Sequence, residues 1–190
     1  MSKRLIVCLT GMPGAGKSTV ALFLKDKGFT VLTMGDAVRE EAKRLGLEPT
    51  DMNLGKLMHK LRQDLGPGAI GHIILQKLGR DGSFGNVVID GIRSIPEVEV
   101  LANTGHVKLL AIHASQVTRL KHLKERGRPD APTNSMEFAG RDRRELSIGI
   151  SEAIALADET ISNNDLTLPQ LKQRSCQIVE EWLEEIDRKS

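Results

Sequence analysis

Apolar positions along this chain recur at two periods. Five short apolar runs, LIVCL (5–9), FTVLTM (29–34), NVVIDG (86–91), VKLLAIHA (107–114) and ETISN (159–163), stand between polar or glycine-containing segments. The first, third and fourth lack strict alternation, the pattern of strands buried on both faces. Between and after the runs, apolar residues fall at helical spacing over 17–27, 36–45, 50–65, 69–78, 96–102, 116–126, 135–157 and 169–189. Strands alternating with helices predict an α/β fold, a parallel sheet with helices on both faces. There is no internal repeat and no low-complexity tract. The stretch RPDAPTNS (128–135), polar and aperiodic with two prolines, reads as a loop or lid.

Length and composition narrow the picture. The 190 residues suffice for one domain with a core. Net charge is +2, so no global field commits the chain to nucleic acid or anionic lipid. Aromatic residues make up 3%, with no Tyr, which argues against a stacking platform for single strands. Trp182, on the last helix, reads as core in preference to an interface. Cys8 lies in an apolar run, and no Cys/His cluster suggests structural zinc. The apolar part of the N-terminus is too short for a secretory leader, and no run approaches a membrane span. The expected compartment is the cytoplasm.

Residues 11–18 read GMPGAGKS and fit GxxxxGK[ST], between a strand pattern and a helical one, the context this motif requires. Gly11, Gly14 and Gly16 allow the backbone to curl its N–H groups inward around phosphate oxygens, with Met12, Pro13 and Ala15 between them. The following helix adds its positive end. Lys17 can reach the β- and γ-phosphates, and the Ser18 hydroxyl, with Thr19 beside it, can ligate Mg²⁺. Asp90 ends a β-branched strand and is the candidate second metal-side ligand. The bland alternatives are a glycine-rich turn with an incidental lysine, and a turn aspartate before Pro96.

A phosphate loop predicts ATP and leaves the reaction open. A kinase needs cations for an anionic acceptor and a lid that excludes water. Arg39 and Arg93 follow the second and third strands, at the sheet edge where open α/β sheets bind ligands. Between residues 119 and 144 stand Arg119, Lys121, Lys124, Arg126, Arg128, Arg141, Arg143 and Arg144 against Glu125, Asp130, Glu137 and Asp142. Arg126, Arg128 and Arg141 are the candidates to clamp a transferring phosphoryl group. Arg141 and Glu145, four residues apart on a helix, equally suit a surface ion pair. The five histidines are scattered and read as structural or solvated. Asp36 is either a helix cap or, for a hydroxyl acceptor, the base. A partner-coupled ATPase in RNA or ribosome biogenesis is the alternative; RNA contact through the basic segment is less favoured. A GTP switch would need an N/TKxD motif, and the chain has none.

These residues also carry a resemblance. GMPGAGKST, TMGDAVRE, VVIDGIR and the basic lid resemble the nucleoside monophosphate kinase group, and LADETISNN resembles dephospho-coenzyme A kinase. MGDAVREEAKRLGLEPT, IDGIRS, AIHAS, RDRRELSIGI and IALAD resemble an archaeal family of adenylate-kinase-like P-loop proteins over nearly the whole chain. The resemblance implies a three-layer P-loop NTPase fold with five parallel strands in the order 2-3-1-4-5, and ATP with Mg²⁺. It implies one domain over 1–190, with a core at 1–35, 86–127 and 150–190, a helical acceptor-binding region at about 36–80 and a lid at about 126–145. It places Arg39 on the phosphate of a nucleotide or nucleotide-like acceptor, beside the candidate acceptor residue Asp36, Arg93 between donor and acceptor, and Asn163 near the adenine. DGIR is one residue shorter than the adenylate kinase DGFPR, and the region 50–78 departs from both kinases.

Overall fold

The computed structural model describes residues 4–80, 85–126 and 134–188. In chain order the elements are β1 (Leu5–Thr10), α1 (Lys17–Asp26), β2 (Thr30–Thr33), α2 (Met34–Arg44), α3 (Asp51–Leu65), α4 (Ala69–Arg80), β3 (Val87–Ile92), α5 (Ile95–Leu101), β4 (His106–His113), α6 (Gln116–Glu125), α7 (Ser135–Ile148), α8 (Ile150–Ala155), β5 (Glu159–Ser162) and α9 (Leu168–Arg188). The strands form one parallel sheet in the order β2-β3-β1-β4-β5, which is the order the resemblance implies.

The continuous apolar run of β1 explains its central place. Every residue of the strand is buried. Leu5, Val7 and Leu9 face one core with α1 and α9, while Ile6 and Cys8 face a second core with α2, α3 and α4. A period of two thus feeds both faces of one sheet, giving three layers. Trp182 is buried in the first core. Each such fully buried aliphatic side chain contributes about 1.5–3 kcal/mol relative to exposure. Cys8 lies at the centre of the sheet, and burial pushes its thiol pKa far up, so it stays protonated and inert.

Two expectations change. The helical pattern at 135–157 is two helices, because Gly149 takes φ 109° and ψ 16°, a left-handed turn that ends α7 and starts α8. The cap of α2 is Thr33, whose hydroxyl accepts from the Asp36 amide at 2.9 Å. The same hydroxyl donates to Asp36 Oδ2 at 2.5 Å, a side-chain contact within the first turn. No helix among the described residues is long and apolar enough to cross a membrane.

Candidate functional site

The phosphate loop leaves the C-terminal end of β1 and enters α1. At Gly16 the backbone is left-handed, with φ 113°, and a Cβ there would stand 2.6 Å from the Asn163 amide nitrogen. Only glycine meets both conditions. Three side chains distant in sequence hold the loop from outside. Asn163 Nδ2 donates to the Ala15 carbonyl at 2.9 Å, and Arg119 Nη1 donates to the Pro13 carbonyl at 3.1 Å. His122 Nδ1 stands 2.9 Å from the Gly14 carbonyl oxygen. A carbonyl can only accept, so Nδ1 carries the proton in that contact. With these carbonyls bound outward, the amides at the start of α1 are left for an anion.

Arg119 also binds Asp142 through two bonds of 2.8 and 2.6 Å and lies 4.8 Å from the Phe138 ring centre. Both partners of the pair are buried. The arginine therefore joins α6, α7 and the loop, and it is separated from Arg143 and Arg144, which are exposed.

Inside the loop, Lys17 Nζ donates to the carbonyls of Gly11 at 2.6 Å and Met12 at 3.3 Å. Burial draws its pKa below the ordinary lysine value; Asp90 and Glu145 oppose that, and Arg93 and Arg141 add to it. Ser18 Oγ donates to Asp90 Oδ2 at 2.7 Å. The register of β3 explains how Asp90 reaches there. Leu9 pairs with Asp90 and Thr10 with Ile92, so Gly91 is bulged out and Asp90 ends the regular ladder. Bulges recur beside active sites because they re-aim side chains. Asp90 Oδ1 is buried without a hydrogen-bond partner among the described residues. A hydroxyl and a carboxylate with an unsatisfied buried oxygen, at the mouth of a phosphate loop, form the hard oxygen set that Mg²⁺ takes. These residues fit that ion.

The loop opens on a cleft of about 510 Å³, lined also by Arg93, Arg126, Arg141, Glu145, His122 and Asn163, with Leu22, Leu166, Leu168 and Leu171 as an apolar wall. Arg93 Nε donates to Glu145 Oε2 at 2.6 Å, and its backbone amide to Glu97 Oε2 at 2.8 Å. Glu145 therefore faces the cleft and binds Arg93, where the spacing alone suggested a surface partner for Arg141. Burial pushes the Glu145 carboxyl up, but Arg93, with Lys17 and Arg141 behind it, holds it below the ordinary range.

The structure brings Gly11, Pro13, Gly14, Gly16, Lys17, Ser18, Thr19, Arg93, Arg126, Arg141 and Asn163 to this cleft. Met12 and Ala15 are not among the lining residues; their carbonyls accept from Lys17 and Asn163. Arg128 and the lid segment 127–133 lie outside the described residues. Asp36 and Arg39 are exposed, pair with each other at 2.6 Å, and are not among the lining residues. They stay near the same sheet edge, because Thr33 pairs with Asp90 in the ladder. Partial burial raises the Asp36 pKa, and its bonds to Thr33 and Arg39 outweigh that and lower it. Sequence reasoning missed Glu145, Glu97, His122 and the bracing role of Arg119. No local motif marks them, because apart from the four-residue contact of Glu97 with the Arg93 amide each contact spans tens of residues.

Known proteins resemble this chain in sequence and in fold. A family model described as AAA domain matches residues 10–137. A UPF0200 protein of Hyperthermus butylicus is 39% identical over 176 residues, covering 93% of this chain and 94% of that one. One of Pyrococcus abyssi is 44% identical over 165 residues, covering 85% and 88%. Among solved structures, TT1252 from Thermus thermophilus shares the fold with a TM-score of 0.63 at 20% identity, over 94% of this chain and 97% of that one. Shikimate kinase from Acinetobacter baumannii, in complex with shikimate, does so with a TM-score of 0.59 at 19% identity, over 94% and 93%. At such identities the likeness is one of fold. The chain belongs to the UPF0200 family of archaeal proteins, built on the P-loop kinase fold.

Proposed function

We propose that this protein is an ATP-binding, Mg²⁺-dependent phosphotransferase of the cytoplasm, acting on a nucleotide or nucleotide-like acceptor. The observation that carries the reading is the Ser18–Asp90 contact of 2.7 Å, opening on a cleft walled by Arg93, Arg126 and Arg141. The cations surround the place where a phosphoryl group would pass.

Lys17 and the amides of residues 11–18 hold the phosphate chain and offset its charge. Ser18 and Asp90 would hold Mg²⁺, which when bound supplies further neutralisation of the transferring group. Arg93, Arg126, Arg141 and, from the lid, Arg128 clamp the phosphoryl oxygens. Such a reaction asks of the protein mainly positioning and charge stabilisation. Asn163 keeps the loop open for the donor, and the leucine wall beside it suits a planar base. Asp36 and Arg39 take the acceptor side, at the mouth of the helical region 36–80. That region and the lid at 126–145 are parts of one domain over 1–190.

The test supplies ATP, Mg²⁺ and a panel of acceptors, including AMP, CMP, UMP, dTMP and dephospho-coenzyme A, and resolves the products. A phosphorylated acceptor made by wild type and lost in Lys17→Ala is the expected result. ADP and free phosphate alone, whatever acceptor is present, would overturn the reading in favour of a partner-coupled ATPase.

A further inference from the structure

Glu97 is fully buried, yet it carries a carboxylate. Taking such a group out of water costs several kcal/mol unless partners satisfy it. Its two oxygens point to different parts of the molecule. Oε2 accepts the backbone amide of Arg93 at 2.8 Å. Oε1 accepts from Arg62 Nη2, on α3, at 2.6 Å. Glu97 stands in the first turn of α5, so the bond to the Arg93 amide alone would be an ordinary helix-start contact. A helix start has no need of the second bond. That bond reaches across 35 residues to an arginine that is itself only 14% exposed.

Arg93 is held at its other end too. Its guanidinium binds Glu145 of α7, and it lines the cleft three residues beyond Asp90. The continuous chain Arg62–Glu97–Arg93–Glu145 thus runs from the helices α2–α4 through the exit of β3 to α7. Every joint in it is at least partly buried and charge-assisted, the kind that transmits a displacement rather than absorbing it in solvent.

We infer that Glu97 is a positioning residue: through it α3 sets the backbone of Arg93, so that an occupant bound against α2–α4 is felt in the phosphate cleft. The effect on turnover rests on the phosphotransferase reading; the mechanical tie does not. Coupling of this kind is reciprocal, so occupancy of the phosphate loop also biases α3.

Arg62→Gln removes the charge on α3 while leaving Glu97 in place, and is the variant of choice because a change at fully buried Glu97 endangers folding. Amide hydrogen exchange over residues 91–95 reads the Arg93 amide directly. Exchange there should accelerate at least about tenfold in Arg62→Gln, with β1 and β4 as protected as in wild type. Arg62→Lys should restore most of that protection. At saturating ATP and acceptor, turnover should fall several-fold in Arg62→Gln while the KM for ATP stays within about twofold. Unchanged exchange at 91–95 overturns the inference, as does equal acceleration in β1 and β4, which would mark a stability effect only. Wild type that phosphorylates nothing would sink the phosphotransferase reading and leave the exchange result to decide the tie.

Discussion

Glu145 sets a carboxylate among the cations of the phosphate cleft. Its bond to Arg93 orders that side chain and also cancels one positive charge. Replacing it with glutamine leaves the shape and removes the charge. Glu145→Gln should therefore bind ATP several-fold more tightly at low salt, an advantage that shrinks as ionic strength rises, read by titration with a fluorescent ATP analogue. The same pair links stability to acid. A carboxyl whose pKa is lowered by folding stabilises the protein above its unfolded value, the ordinary 4.5, and that contribution is lost as pH falls below it. Wild type should thus lose more stability than Glu145→Gln on acidification below that point, measured by denaturant midpoints at each pH. Asn163 acts in the opposite sense. Without its bond to Ala15 the loop has lost one of its outer braces, and Asn163→Ala should weaken ATP binding by about tenfold.

At the scale of elements, two helix ends carry testable energy. Gly149 sits at φ 109°, a conformation that an L side chain adopts only under strain. Gly149→Ala should cost about 1 kcal/mol or more in chemical denaturation, and it should disturb Arg93, because Gly149 lies beside Ser94 and the Arg93 carbonyl. Thr33 caps α2, and Thr33→Ala should cost about 1 kcal/mol. Elements of this length were legible because buried strands and amphipathic helices leave different periods in the chain. The break at Gly149 was not, since the apolar spacing runs through it and nothing local separates a tolerated glycine from a turn. Thr33 was overlooked for a related reason: Asp36, the residue with the more familiar cap chemistry, lies three residues on in the same first turn.

For the molecule as a whole, the two cores meet on one sheet, and the strand order follows from a resemblance rather than from periodicity. The phosphate loop could be read because its residues are consecutive. Its supports could not, since the Asn163–Ala15 bond spans 148 positions, Arg119–Pro13 106 and Arg93–Glu145 52. Pairings at such distances are decided by the path of the sheet, which no window of sequence contains. The matched family model ends at residue 137, before α8, β5 and α9. A fragment ending there keeps the motif but loses the part of the first core that includes Leu171, Val179 and Trp182. It should show no cooperative thermal unfolding and no measurable ATP binding, whereas a chain ending at 188 should match wild type.

The brace from Asn163 to the loop also has a meaning in time. During synthesis the glycine-rich segment leaves the ribosome 148 residues ahead of the side chain that holds it. At ordinary elongation rates that interval is on the order of ten seconds. Throughout it the nascent chain carries a complete nucleotide-binding motif that lacks its far support. Whatever affinity for a nucleotide depends on this brace is therefore acquired only after the last strand has been made.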